Sequence, residues 1–97
     1  MQYEKEVPLA NLIVHKRVTE RHPELTEEGV RAAWENALVS TPRIAKDPDE
    51  YVALGFDGDG RLLEVVATRL RDGDWLIFHA TTPPSDKTFR ELGIERR

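Results

Sequence analysis

The sequence has 97 residues and a mass of 11.1 kDa, which suits one small domain with one hydrophobic core. It has no cysteine, which excludes disulfides, a thiolate nucleophile and cysteine zinc sites. A formal net charge of −4, from 18 acidic and 14 basic side chains, excludes a uniformly basic nucleic-acid-binding protein, although a locally basic face is compatible with it.

Two helices are predicted in the first half of the chain. Pro8 suits the first turn of a helix, and helical spacing of apolar residues such as Leu12 and Ile13 continues until the His22–Pro23 pair stops it. Thr26 is a good N-cap for a second helix, whose apolar residues stand at i, i+3, i+4, i+7 and i+8. These residues are Val30, Ala33, Trp34, Ala37 and Leu38.

Strands are predicted in the second half of the chain. The segment 40–50 contains two prolines and is predicted to be irregular, with at most a weak strand at 43–45. Three largely apolar runs at 51–56, 62–70 and 75–81 then predict three strands, the second of them mostly β-branched or aliphatic.

The connections between these strands have the sequences of tight turns. Asp57–Gly60 and Asp72–Gly73 place glycine where a hairpin needs a positive φ. Pro83–Pro84 ends the last strand, and Ser85 caps a short helix that stops at Gly93. The predicted fold class is α+β, with two N-terminal helices, an antiparallel β-meander of three or four strands and a short C-terminal helix.

Alternation along the last strand predicts which side chains share a face of the sheet. Leu76, Phe78 and Ala80 are predicted on one face, and Ile77 and His79 on the other. Both faces are largely apolar, and a small domain has too few helices to cover both. We therefore expect part of one face to be a surface for a partner.

The sequence shows no pattern typical of a metal or nucleotide site. The three histidines, His15, His22 and His79, lack a paired ligand spacing, so we expect no metal and no cofactor. Gly58 and Gly60 stand between acidic residues that would repel phosphate. No apolar run approaches a membrane span and no signal peptide opens the sequence, so we expect a cytoplasmic protein.

Basic residues are concentrated around the first helix, the sheet and the C-terminus, whereas acidic residues crowd helix starts and turns. The basic residues are His15, Lys16, Arg17, Arg21, His22, Arg43, Lys46, Arg61, Arg69, Lys87, Arg90, Arg96 and Arg97. A basic patch can contact phosphate on a negatively charged protein, because the field acts within about 10 Å at ordinary salt. A solvated charged surface explains the same residues, and the sequence leaves both interpretations open.

The second half of the chain carries a resemblance to a known family. The run Y-V-A-L-G-F-D-G-D-G-R-L-L-E-V-V-A-T-R, followed by W-L-I-F-H-A-T-T, resembles the sheet of the BrnT family of bacterial toxins. Upstream, His22 followed by Leu25 and Thr26 resembles the Lys-His-Gly segment that leads into the family's second helix. The resemblance spans about residues 9–92 in the same order of elements.

This resemblance implies a RelE-like α+β fold, with residues 1–97 as a single toxin domain. It implies a metal-independent ribonuclease toxin of a bacterial type II toxin–antitoxin pair, neutralised by a DNA-binding antitoxin. By position, His22 and Arg61 match family positions. Two arginines of the family are absent, one where Glu50 and Tyr51 stand and one after Ala80.

In this interpretation, His79 and Arg43 replace the two absent arginines, because an imidazole can accept the 2′-hydroxyl proton and a guanidinium can stabilise charge on phosphate. The predicted catalytic residues are His79, Arg61 and His22. The predicted RNA-binding residues are Arg43, Tyr51, Lys87 and Arg90.

The expected partners are RNA and a cognate antitoxin, with no membrane, and the expected assembly is a homodimer or a toxin–antitoxin hetero-oligomer. The alternative is a catalytically inactive, toxin-like binding or regulatory module that acts through a protein partner. The absent arginines, the negative net charge and the surplus apolar sheet face favour this alternative.

Overall fold

The computed structural model describes residues 11–43 and 47–94, which form a five-stranded sheet and three helices. The strands are β1 (Leu12–Val14), β2 (Val39–Arg43), β3 (Asp47–Phe56), β4 (Leu62–Arg69) and β5 (Trp75–Thr81), and the helices are α1 (Arg17–Arg21), α2 (Glu27–Glu35) and α3 (Asp86–Glu91). The spatial order is β1-β5-β4-β3-β2, with β1 parallel to β5 and all other neighbours antiparallel. The predicted α+β class and the antiparallel meander are confirmed.

The N-terminal helix prediction was wrong for Leu12 and Ile13. These residues lie in β1, whose Ile13 pairs with Leu76 of β5. Hydrogen bonds from Trp75 N–H to the Asn11 carbonyl and from His15 N–H to the Ile77 carbonyl close this parallel ladder. The spacing of a short apolar run is equally compatible with a helix and with a strand. This segment is a strand because it pairs with the free edge of β5. Pro8 lies outside the described residues.

The second helix is shorter than predicted, and the segment after it joins the sheet. The helix α2 ends at Glu35, and Leu38 N–H donates to the Leu54 carbonyl at 2.8 Å, so that β2 begins at Val39. The predicted irregular segment therefore contributes β2 and the first residues of β3. With β1, this brings the sheet to five strands rather than the three or four predicted, while 44–46 lie outside the described residues.

The predicted local signals at turns and caps are confirmed. Gly60 and Gly73 have φ of +81° and +94°, which the two hairpin turns require. Strand β5 covers 75–81 as predicted. The helix α3 begins after Ser85, whose hydroxyl accepts a hydrogen bond from Thr88 N–H at 3.2 Å. Within the described residues, no helix is long and apolar enough to cross a membrane.

The hydrophobic core lies between α1, α2 and one face of the sheet. Its fully or nearly buried members are Val18, Leu25, Val30, Ala33, Leu63, Val65, Ala67, Ile77 and Ala80. The helix α2 lies close against β3 at Gly55, where an added Cβ would stand 2.0 Å from the Ala33 carbonyl oxygen. A glycine is therefore required at this contact.

A β-bulge in β5 overturns the predicted division of its faces. Val66 pairs with His79, but Ala67 pairs with Ile77, so that Phe78 is an extra residue in the ladder. As a result, Ile77 and Ala80 both lie in the core, although strict alternation had placed them on opposite faces. His79 lies on the other face with Val66, and both side chains line a cleft there.

Removing the hydroxyl of Thr26 is expected to lower the free energy of unfolding by about 1 kcal/mol. This hydroxyl accepts the N–H of Gly29 at 2.9 Å, which satisfies a donor that the first turn of α2 leaves unpaired. Urea unfolding of Thr26→Ala measures the loss, and Thr26→Ser, which keeps the acceptor, is the control. An equal loss in both variants would show that the cap does not stabilise α2.

Candidate functional site

A cleft of about 390 Å³ lies on the face of the sheet opposite α2, between α1 and α3. The residues that line it are Arg17, Arg21, Arg43, Glu50, Glu64, Val66, Phe78, His79, Ser85, Lys87 and Thr88. Four of these side chains are cationic and two are carboxylates, counted with His79 neutral. The cleft is therefore locally positive on a chain whose net charge is −4.

At the floor of the cleft, Glu64 is a carboxylate with only 7% of its side chain exposed. Its Oε1 accepts hydrogen bonds from the N–H of Ser85 at 2.9 Å and from the Ser85 hydroxyl at 3.0 Å. Its Oε2 lies 3.0 Å from Nε2 of His79. Burial raises the pKa of Glu64, but the hydrogen bonds from His79, Ser85 and Thr88 outweigh it and lower the pKa to about 2. The carboxylate is thus ionised at neutral pH.

This carboxylate determines the tautomer of His79. An ionised carboxylate can only accept a hydrogen bond, so Nε2 of His79 carries the hydrogen. In the neutral imidazole, Nδ1 then holds the lone pair, and it makes no hydrogen bond with any residue in 11–43 or 47–94. The side chain is 37% exposed, so Nδ1 can accept a proton from a molecule in the cleft.

The structure places the ring of His22, which was also predicted to be catalytic, against the ring of His79. The rings of His22 and His79 meet edge-on, with centroids 6.5 Å apart and an interplanar angle of 87°. His22 follows α1, and its N–H donates to the Val18 carbonyl, which anchors the backbone at this position. Nδ1 of His22 also lies 3.6 Å from a carboxylate oxygen of Glu24. A second imidazole therefore lies beside His79, although His22 is not among the residues that line the cleft.

Two cations of the cleft were in the predicted basic cluster but not among the predicted site residues. Arg17 and Arg21 stand four positions apart in α1, a spacing that places both side chains on one face of a helix. Neither arginine forms an ion pair with another described residue, and Lys87 of α3 does not form one either. The i, i+4 spacing was a signal that could have identified the arginine pair from the sequence.

Glu64 was also missed as a functional residue. Its sequence signal is a single charged residue within the apolar strand L-L-E-V-V-A, where burial of a carboxylate demands hydrogen-bond donors. Those donors come from β5 and from the segment before α3, which the sequence alone does not bring together.

Arg43 lies in the cleft as predicted, but two carboxylates already bind it. Nη1 donates to Oε2 of Glu50 and Nη2 donates to Oε1 of Glu91, each at 2.9 Å. Burial alone would lower the pKa of Arg43, and the hydrogen bonds and charges of Glu91 and Glu50 raise it above its ordinary value. The guanidinium is therefore charged and enclosed.

The structure does not bring Arg61 to the cleft. This residue lies at the β3–β4 hairpin, where its Nε donates to Oδ2 of the buried Asp57 at 3.0 Å. Burial raises the pKa of Asp57, while hydrogen bonds from Arg61 and from the N–H of Asp59 lower it below its usual range. The pair closes the hairpin turn and lies apart from His79.

Tyr51 and Arg90 also lie outside the set of residues that line the cleft. The Tyr51 ring packs edge-on against Trp75, with centroids 5.2 Å apart, and the guanidinium of Arg69 lies over both rings. Arg90 is an exposed residue of α3. Of the predicted site residues, His79, Arg43 and Lys87 line the cleft. His22 does not line it, but its ring contacts that of His79.

Within the ranges 11–43 and 47–94, no three His, Asp or Glu side chains come together as a potential metal site. The chain matches no family model, and no curated protein or solved structure matches it.

Proposed function

We propose that the chain is a metal-independent ribonuclease toxin of the BrnT-like, RelE-like class, with its active centre at the His79–Glu64 pair. The observation that carries the proposal is a buried, ionised carboxylate that orients an exposed imidazole inside a cationic cleft. Cleavage of RNA by attack of its own 2′-hydroxyl requires a positioned base and cations for the phosphate, and this cleft holds both.

In the proposed reaction, Nδ1 of His79 accepts the proton of a ribose 2′-hydroxyl. The oxygen attacks the adjacent phosphorus, the bond from phosphorus to the 5′-oxygen breaks, and a 2′,3′-cyclic phosphate forms. In this proposal, His22, whose ring meets that of His79 edge-on, donates a proton to the departing 5′-oxygen. Glu64 accepts the hydrogen bond from Nε2 throughout and stabilises the imidazolium that proton transfer produces.

The cations of the cleft provide the charge that a phosphodiester needs. Arg17, Arg21 and Lys87 are exposed and surround the cleft from α1 and α3, so they can contact successive phosphates of a single strand. Guanidinium groups bind two phosphate oxygens at once, which favours the two arginines as the groups that face the reacting phosphate.

The proposal includes a cognate, DNA-binding antitoxin as the protein partner and the cytoplasm as the compartment in which both act. Leu38, Val39 and Phe56 are large apolar side chains that remain exposed around the paired ends of β2 and β3. Exposed apolar residues of this kind are typical of surfaces that pack against a protein. They support either a homodimer or a toxin–antitoxin hetero-oligomer.

The His79→Ala variant is expected to cleave RNA about 100- to 10,000-fold more slowly than the wild type, since it lacks the proton acceptor. The measurement is the rate of cleavage of a labelled single-stranded RNA in buffer containing EDTA. Glu35→Gln, which changes an exposed side chain of α2 outside the cleft, is the control and should keep the wild-type rate. Thermal unfolding of both variants establishes that they are folded.

Two outcomes would contradict this proposal. A folded His79→Ala variant that cleaves RNA at the wild-type rate would remove His79 from the reaction. A wild-type protein that cleaves no RNA at high concentration would exclude the ribonuclease and support the alternative.

The second candidate function is a toxin-like binding or regulatory module without catalysis. Its supporting observation is that carboxylates engage two of the cations predicted for the site, Arg43 and Arg61. This module would bind a protein partner and show no RNA cleavage in the same assay, with or without EDTA.

A further inference from the structure

Arg43 is the most enclosed cation of the cleft, with only 11% of its side chain exposed. It is the last residue of the edge strand β2, at the point where the register with β3 shifts. Through its two terminal nitrogens it joins Glu50 of β3 to Glu91 at the end of α3. One guanidinium thus connects two strands of the sheet and a helix that forms a wall of the cleft.

The guanidinium of Arg43 retains a donor that neither carboxylate uses. Its Nε is buried and has no hydrogen-bond partner among the described residues. Nε–H and the nearer N–H of Nη2 lie along one edge of the planar group, the edge that binds two oxygens of a single anion. Glu91 accepts a hydrogen bond from Nη2 and leaves the Nε–H of this edge unoccupied. Since an unpaired buried donor is unfavourable, an anion that fills both positions has an advantage over Glu91.

The two carboxylates differ in how easily they can leave Arg43. The Glu50 side chain is 12% exposed, whereas that of Glu91 is 26% exposed. A more exposed carboxylate recovers more hydration when its ion pair opens, so less is lost on separation. The opposite end of α3 is held separately by the bonds between Ser85 and Glu64. Glu91 is therefore the exchangeable partner, and Glu50 is the permanent one.

We propose that Glu91 is an internal competitor for a phosphate site on Arg43: it binds the guanidinium in the free protein, and a phosphodiester group entering the cleft replaces it on Nη2 and also binds Nε. The inference rests on the proposed function, because it takes this phosphodiester to belong to RNA. With both carboxylates in place, the cluster has one positive and two negative charges, which weakens the attraction of the cleft for a polyanion.

The test measures binding in the absence of cleavage. Its probe is a short single-stranded RNA in which every 2′-hydroxyl is O-methylated, so that the nucleophile is blocked. Fluorescence anisotropy compares the wild type with Glu91→Gln and with Glu35→Gln, which removes the same charge from an exposed residue of α2. We expect Glu91→Gln to bind about fivefold more tightly than Glu35→Gln, the effect of removing one partly exposed ion pair.

The gain must depend on Arg43. Adding Arg43→Gln to Glu91→Gln should abolish the tighter binding of the probe. If the double variant still binds the probe as tightly as Glu91→Gln does, the proposal is overturned. Equal affinities of Glu91→Gln and Glu35→Gln overturn it as well. In the wild type, the Nε–H resonance of Arg43 should shift when the probe is added. An unchanged resonance at saturation contradicts the proposal without relying on any variant to fold.

These outcomes are separate from those that test the ribonuclease. If the probe binds through Arg43 but unmodified RNA is not cleaved, the competitor role of Glu91 stands and the proposed catalysis fails. If RNA is cleaved but Glu91→Gln and Glu35→Gln bind the probe equally, the proposed catalysis stands and the competitor role of Glu91 fails.

Discussion

The Gly55→Ala variant is expected to lose about 3 kcal/mol of folding free energy or more, because its new methyl group has no space. The added Cβ would stand 2.0 Å from the carbonyl oxygen of Ala33 and 2.8 Å from its carbonyl carbon. Both are backbone atoms of α2, so the helix can relieve the contact only by moving away from β3 and the core. For a domain of this size, the Tm should fall by roughly 12–24 °C.

Urea unfolding of the wild type and of Gly55→Ala measures this loss of folding free energy, and Gly58→Ala is the matched control. At Gly58, an added Cβ meets nothing within 4 Å, so its free energy of unfolding should change by less than about 0.5 kcal/mol. If Gly55→Ala unfolds at the same urea concentration as the wild type, the backbone of Ala33 in α2 does not lie against Gly55 of β3.

The Glu64→Gln variant is expected to be less stable than the wild type by about 3 kcal/mol at neutral pH, and this difference should disappear in acid. The pKa of Glu64 falls from 4.5 to about 2 on folding, and each unit corresponds to about 1.4 kcal/mol. Since the folded pKa is the lower one, the stabilisation is complete above pH 4.5 and is lost as the pH falls toward 2.

Measuring the free energy of unfolding of both proteins at pH 6, 4 and 3 tests this directly. By about pH 3, roughly 2 kcal/mol of the difference should be gone. Asp57 also has a lowered pKa, but it titrates in both proteins and cancels in the comparison. Glu35→Gln, which removes an exposed carboxylate, should show no such dependence. A wild-type advantage that is unchanged between pH 6 and pH 3 would contradict the ionised, hydrogen-bonded state of Glu64.

The same variant has a consequence for His79. A glutamine amide can donate toward Nε2, which favours the tautomer with its hydrogen on Nδ1 and removes the proton acceptor from the cleft. Glu64 is in this sense a positioning residue. The pattern of nitrogen resonances of the His79 ring should report the tautomer change, which a purely structural role of Glu64 would not produce.

Much of the local structure was predictable because its causes lie within a few residues. The hydroxyls of Thr26 and Ser85 cap their helices, and Gly60 and Gly73 close their turns, as predicted. Each depends on hydrogen bonds or backbone angles within about one turn of chain. The strand 75–81 was also predicted because its β-branched and aromatic composition is a local property.

The candidate site was only partly predictable. His79 and Arg43 were named as replacements for two arginines of the family and Lys87 as a further basic residue, and all three line the cleft. Arg61 was named from the family resemblance, but a local ion pair with Asp57 holds it at the hairpin. Glu64, the residue that orients His79, escaped prediction because its partners lie 15 and 21 positions away.

The sequence by itself determined the α+β class, the hairpin turns and the helix caps, since these follow from composition and from neighbours in the chain. Only the tertiary structure decided that Ile13 joins a strand and that Phe78 forms a bulge. It also brings four cations together in one cleft, although the net charge of the chain is −4. The physical reason is that strand pairing, bulges and buried ion pairs depend on contacts between residues far apart in the chain, which spacing and composition do not encode.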